Sequence, residues 1–243
     1  MSFLGYERPD GSVGVRNYVA VISAGSCINE VPVRIAERVK NIVPIIHNEG
    51  DLRKKDNEQI IRTLVGIGVN PNVAACIVVG LGCEIRPPDM LGDKIAKSGK
   101  PVEVLTVEKI GDFYETINRG IDTARKLVCY TSKIRRRVEE ASSLTIGVKC
   151  ADSDTSSGLA GNPSVGAASD MIIEHGGTVI ISETAEIIGV PKLLPFSVKF
   201  INYNNFNNID TREAVHDWRG GEDLRCLLCG CEEVGLFRED QIH

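Results

Sequence analysis

Short apolar runs alternate with stretches of helical spacing through the first half of this chain. Asn17–Ser23 (NYVAVIS), Val43–His47 (VPIIH), Val73–Gly80 (VAACIVVG) and Val102–Val107 are rich in β-branched residues and read as strands. The third is apolar throughout, as a strand covered on both faces would be. Between and after them, Asn29–Asn41, Asp56–Val65, Pro88–Lys97 and Lys109–Val128 carry the spacing of amphipathic helices. Such alternation predicts a doubly wound, mostly parallel sheet with right-handed crossovers.

The pattern pauses at Tyr130–Lys133 and then resumes. A helix over Ile134–Ala141, a strand over Leu144–Lys149, a helix over Pro163–His175 and a strand over Thr178–Ser182 are expected. From Pro195 onward no period of 2 or 3.6 is sustained. Phe200–Ile209 is Asn-rich, and a helix is suggested only around Thr211–Trp218. The fold class is therefore α/β. A Rossmann-like first domain (residues 1–132) is followed by a partial second α/β domain (133–194) and a divergent tail (195–243).

Ligands of open parallel sheets bind outside the carboxyl ends of the strands, and reactive side chains gather at those points of the sequence. Cys27 follows the first strand, His47 closes the second with Glu49 and Asp51 behind it, and Cys83 and Glu84 follow the third. In the second half Cys150, Asp152, Ser153 and Asp154 follow one strand, and Glu183 and Glu186 another. Thiols, an imidazole and carboxylates together suit Fe(II), Mn(II) or Zn(II) better than Mg(II) or Ca(II), which prefer oxygen ligands. Each thiol also has a plain reading. Free cysteine is commonly buried, and Cys76 and Cys129 are read as core. Cys27 and Cys83, in turns with Gly or Ser, fit either a functional or a packing role.

The loop Ser153–Pro163 (SDTSSGLAGNP) runs straight into a helix, with Asn162 placed to cap it and Pro163 in its first turn. A hydroxyl-rich helix start suits a carboxylate or phosphate, and an ordinary capped surface loop accounts for it equally. Gly80 and Gly82 lack the third glycine of a dinucleotide fingerprint, and no Walker A run occurs. Cys226, Cys229 and Cys231 lack a second ligand pair at zinc-finger spacing, so a structural zinc is the lesser reading.

Composition narrows the picture. The net charge of −5 argues against a nucleic-acid partner, and the one basic run, Lys133–Arg137, reads as the solvated start of a helix. No apolar run is long enough to span a bilayer, and Met1–Arg8 has neither the basic start nor the apolar stretch of a signal peptide. Eight cysteines without an export signal fit a reducing, cytoplasmic location.

The segment from Gly5 to Tyr18 (GYERPDGSVGVRNY) resembles the opening of the catalytic region in the altronate and galactarate dehydratases. The resemblance continues through Cys27, Asn70-Pro71-Asn72 and Gly80–Glu84. It resumes at Cys150, Ser153-Asp154, Ser157-Gly158, Asn162-Pro163 and Gly176–Gly189, covering about residues 5 to 194. It implies β-elimination of water from a sugar acid such as altronate or galactarate, assisted by a divalent metal, Fe(II) first and Mn(II) second. The implied roles are metal ligation by Cys27, His47, Cys83 and Cys150, and binding of substrate carboxylate and hydroxyls by Arg8, Arg16, Ser153, Ser157 and Asn162. Glu183, Glu186 and Asp154 would be the acid–base groups. Arg8-Pro9-Asp10-Gly11 also has the pattern of a type I turn, which its arginine would brace.

This sequence departs from the family where relatives read His-x-x-Gly-Cys, having Asp51 in place of the thiol, and where they carry two glycines, having Ala151-Asp152. After Leu194 the resemblance fades, and the small N-terminal domain of single-chain members has no counterpart, so an incomplete copy is expected. Some relatives carry that small domain as a separate subunit, which makes such a subunit an expected partner, along with self-association into a homo-oligomer. A sulfolactate sulfo-lyase large subunit and a non-catalytic partner or ligand-binding chain are the alternative readings.

Overall fold

The computed structural model describes residues 1–49, 54–149, 154–182 and 234–237. The chain divides into two compact units, Leu4–Val138 and Met1–Phe3 with Glu139–His243.

The larger unit is built on a four-stranded parallel sheet of β3 (Tyr18–Ser23), β4 (Ile42–Ile45), β5 (Val73–Gly80) and β6 (Val102–Thr106), in the order β4-β3-β5-β6. The chain steps from β3 to β4 on one side, then crosses back to β5 on the other side of β3. Crossovers of constant hand then place the helix after β3 on one face and the helices after β4 and β5 on the other. That is observed: α1 (Glu30–Arg38) packs with α5 (Phe113–Thr131) against Val19, Val21, Ile77 and Val79. On the other face α2 (Lys54–Val69) and α3 (Pro88–Ala96) cover Ala20, Ile22, Cys76 and Val78. Every residue of β5 is buried, which is why its sequence is apolar without alternation. Each such Ile or Val gains about 1.5–3 kcal/mol from burial before the entropy of ordering it is charged. Pro44 lies in β4, an edge strand, where a missing N–H leaves no ladder bond unmade. The expected α/β class with a parallel, two-faced sheet is therefore present.

Several boundaries differ from expectation. The helix expected from Lys109 is two helices: α4 (Val107–Ile110) ends at Gly111 with φ +88°, and α5 restarts with the Asp112 carboxylate accepting from the Glu115 N–H at 2.6 Å. Gly-Asp is a stop followed by a start. Residues Ile134–Ala141 do not form a helix. Arg137–Glu140 is strand β7, drawn into a sheet of order β2-β1-β7 with β1 (Ser2–Glu7) and β2 (Val13–Gly14). The basic run accordingly lies in a loop and this strand: Arg136 stacks 5.1 Å from the Tyr6 ring centroid, and Arg137 pairs with Glu7 at 2.8 Å. β1 and β2 form a hairpin whose turn has the expected bond, Gly11 N–H to Arg8 C=O at 2.9 Å.

In the smaller unit, β8 (Thr145–Val148) and β9 (Thr178–Ser182) are parallel and joined through α6 (Asn162–Glu174). Ile172 and Ile173 pack with Val179, Leu144, Ile146 and Val148. Residues 234–237, within the tail where no period is visible, form β10 antiparallel to β9. The suggested helix at Thr211–Trp218 and the Cys226, Cys229 and Cys231 cluster lie outside the described residues. Among the described residues no helix is long and apolar enough to cross a membrane.

Candidate functional site

Because the chain leaves β3 toward one side and reaches β5 on the other, the exits of these two strands flank a topological switch point, where open sheets place ligands. At the β3 exit, the Ala24 N–H continues the ladder to Val79 O at 2.8 Å, and the Ser23 hydroxyl donates to Gly25 O at 2.6 Å. The chain then coils through a short 3-10 turn, Ser26–Ile28, that presents Cys27 exposed.

His47 stands just past β4 and is half-buried. Its Nδ1 faces the Glu49 N–H at 3.2 Å, and its Nε2 faces Ser23 C=O at 3.2 Å. An amide N–H only donates and a carbonyl only accepts, so the proton sits on Nε2 of a neutral ring. Burial lowers the imidazole pKa below its ordinary value, more than the Ser23 contact raises it, and the Arg86 charge lowers it further. Asn29 locks this segment, its amide donating to His47 C=O at 2.7 Å.

Beyond β5, Gly82 adopts φ +122°, and a side chain there would collide with Glu108. Cys83 follows, exposed. The Glu84 carboxylate folds back to accept from the N–H groups of Leu81 and Gly82, the latter at 2.8 Å. A Cβ on Gly25 would stand 3.1 Å from Glu84 Cγ and 3.7 Å from Cys27 Sγ, so the bare glycine is what lets these two side chains converge. Cys27, His47, Cys83 and Glu84 thus share the carboxyl edge of one sheet.

Sequence reasoning passed over Arg86. It is 1% exposed and the largest fully buried side chain among the described residues. Its Nε donates to Ala24 O at 3.1 Å, its Nη1 to Asn57 Oδ1, and its Nη2 to Glu49 O at 3.3 Å.

The remaining candidates lie elsewhere. Arg8 is buried at the amino edge of the sheet, opposite the thiols. It donates from Nε to Pro71 O (2.6 Å), from Nη1 to Asn17 Oδ1 (2.9 Å) and from Nη2 to Arg16 O (2.8 Å). Arg16 is exposed at the same edge. The structure does not bring either arginine to Cys27, His47 and Cys83. In the smaller unit Asp154 accepts from the Ser156 hydroxyl and the Ser157 N–H, both at 2.7 Å, and these bonds, the backbone one first, lower its pKa. Asp154 therefore does the capping expected of Asn162, which is already helical at φ −63° and makes no capping bond. The helix starts earlier because Asp154 offers its carboxylate first. Pro163, lacking an N–H, sits in the first turn of α6 as expected, but α6 itself continues from a wide π-helical turn, Ser157–Gly161. Cys129, expected in the core, is exposed on α5; Cys76 is buried, which pushes its thiol up to about 12. Cys150, Ser153, Glu183 and Glu186, with Asp51, Ala151 and Asp152, lie outside the described residues.

The described residues do not by themselves fit a metal. No three His, Cys, Asp or Glu side chains among them cluster closely enough to hold one, and both ring nitrogens of His47 face backbone groups.

Residues 5–132 match the family model for the D-galactarate dehydratase/altronate hydrolase second domain, and residues 141–208 match the D-galactarate/altronate dehydratase C-terminal model. The chain belongs to this dehydratase family. It is 39% identical over 192 residues to the (2R)-sulfolactate sulfo-lyase subunit beta of Chromohalobacter salexigens, covering 77% of this chain and 48% of that protein. It is 30% identical over 209 residues to the galactarate dehydratase (L-threo-forming) of Escherichia coli, covering 76% of this chain and 40% of that protein. With the altronate dehydratase of the same organism it shares 29% identity over 204 residues, 78% of this chain and 40% of that protein. The chain thus spans less than half the length of these curated relatives.

Proposed function

We propose that this member of the dehydratase family serves a lyase that removes a group β to the carboxylate of a hydroxylated acid. A sugar acid such as altronate or galactarate is the substrate and water the leaving group. The observation that carries this reading is the match, in order, of both family models along the chain. In such an elimination a base takes the proton from Cα, the electron pair forms the Cα–Cβ double bond, and the β-hydroxyl leaves as water after receiving a proton. The charge that builds on the carboxylate needs fixed donors or a cation.

The described side chains suit parts of this work. His47, with its proton on Nε2, is a half-buried imidazole that burial keeps in its neutral form, the form that can accept a proton. Cys27 and Cys83 present exposed thiols at the same sheet edge, and hydrogen bonds lower the pKa of the Asp154 carboxylate. Glu183 and Glu186 are proposed as further acid–base groups, and Ser153, Ser157 and Asn162 as contacts to substrate oxygens. A divalent metal, Fe(II) first, stays within the proposal on the strength of the thiols alone, and no step above is routed through it.

A second reading has its own support. The 39% identity to the sulfo-lyase subunit, against 29–30% to the dehydratases, favours sulfite as leaving group from sulfolactate. That relative is named as one subunit, and a small partner polypeptide, together with self-association of this chain, is part of the proposal. One experiment separates the readings. The full chain, purified anaerobically with and without a candidate small subunit, is incubated with altronate, galactarate and sulfolactate. Keto-acid formation from a sugar acid supports the dehydratase, sulfite release supports the sulfo-lyase, and neither in any preparation overturns both.

A further inference from the structure

Three strand exits carry the reactive side chains of the larger unit, and one buried guanidinium touches all three. Arg86 lies three residues beyond Cys83 on the segment leaving β5, and reaches across to the β3 exit at Ala24 O and to the segment leaving β4 at Glu49 O. Its Nη1 contact, Asn57, is itself 6% exposed and belongs to α2, the crossover between β4 and β5. These partners are 62, 37 and 29 residues away in sequence. The spacing of Cys27, His47 and Cys83 therefore depends on a fork of fixed geometry rather than on neighbouring chain. A lysine ammonium, a point charge on a flexible stem, cannot span three such directions.

We propose that Arg86 is a positioning residue that holds the exits of β3, β4 and β5 in the register the site requires. Its consequence for turnover rests on the lyase reading above, whereas its effect on the arrangement of the thiols does not. Arg86 lies too deep to meet a substrate at the surface of the edge, and it acts through the backbone it binds. Arginine at this position is thus demanded by shape as well as by charge. Asn57, whose side chain orients the same fork from α2, shares the role to a lesser degree.

The test uses the full chain and iodoacetamide, with the alkylation rate of each cysteine read from its own peptide. Cys129, exposed on α5, is the internal control for general loosening. In Arg86→Lys the rates at Cys27 and Cys83 are expected to change by about threefold or more, with Cys129 unaffected. Asn57→Leu should shift the same two thiols in the same direction by less, and serves as the deciding variant if Arg86→Lys does not fold. Unchanged rates at Cys27 and Cys83 in a folded variant, or equal acceleration of all three thiols, would overturn the proposal. With an acid that the wild type turns over, Arg86→Lys should lose about tenfold in kcat or more, with KM changed far less. A wild-type kcat in the folded variant would equally overturn it. If the wild type turns over none of the acids, the lyase reading fails while the alkylation pattern still decides the role of Arg86.

Discussion

The two edges of the four-stranded sheet use polar side chains for opposite purposes. At the amino edge, Arg8 and Lys100 are buried, each about 4% exposed, and most of their hydrogen bonds go to backbone carbonyls, with Arg8 also reaching the Asn17 side chain. Lys100 donates to Val69 O and Asn70 O at 2.6 and 2.7 Å, satisfying carbonyls that the end of α2 leaves open, though burial lowers its pKa to about 8. At the carboxyl edge, Cys27 and Cys83 are exposed and His47 is half-buried. The polar groups that hold the fold together are hidden and hydrogen-bonded, whereas those proposed for chemistry retain access to solvent. Arg8 and Arg16, in the opening segment that resembles the dehydratases, lie at the first edge, and Arg8 there braces the fold.

Substitutions should separate the edges by what they damage. Arg8→Met strands three acceptors at once, and should cost about 3 kcal/mol of stability in urea unfolding. Comparable loss from Cys27→Ser would abolish the distinction. Lys100→Met should cost about 2 kcal/mol for the same reason, since one of its three acceptors, Gly68 O at 3.4 Å, is held only weakly. At the other edge the effect is smaller and depends on pH. The folded His47 binds its proton less readily than the unfolded chain does, so its stability contribution is complete above pH 6.5 and is lost as pH falls below that. The unfolding midpoint of wild type should fall with acid more steeply than that of His47→Gln, a comparison that calorimetry can make. Smallest of all, Cys27→Ser and Cys83→Ser should stay within about 0.5 kcal/mol of wild type while reducing turnover.

The sequence makes the central sheet plain because burial on both faces forces a run such as VAACIVVG to be apolar at every position. It also shows that Cys27, His47 and Cys83 each follow a strand, and the sheet rule then gathers them at one edge. Strand β7 is different. Arg137–Glu140 is almost wholly exposed and has no apolar face to alternate, and its place is set by β1, more than a hundred residues earlier in the chain. No local period can encode a partner so distant. The Asn-Pro pair at 162–163 is a sound local cap signal that lost to a carboxylate eight residues upstream. Arg86 was invisible for a third reason. Nothing near Cys83-Glu84-Ile85-Arg86 marks an arginine for the interior, since the carbonyls that draw it in come from separate strand exits. Apolar burial is written along the chain, whereas polar burial is written across it.

The wide turn at Ser157–Gly161 amounts to one surplus residue inside an otherwise regular helix. In helical phase that surplus is about 100° of rotation. Thr155 to Ser157 therefore face a direction that an uninterrupted helix ending on Ile172 and Ile173 would not give them. Deleting a single residue between 157 and 161 would restore the ordinary phase and swing the Asp154 cap to another side of the axis, leaving the packed end in place. The phase slip works as a one-residue dial on the direction in which Asp154 and its serine partners are turned.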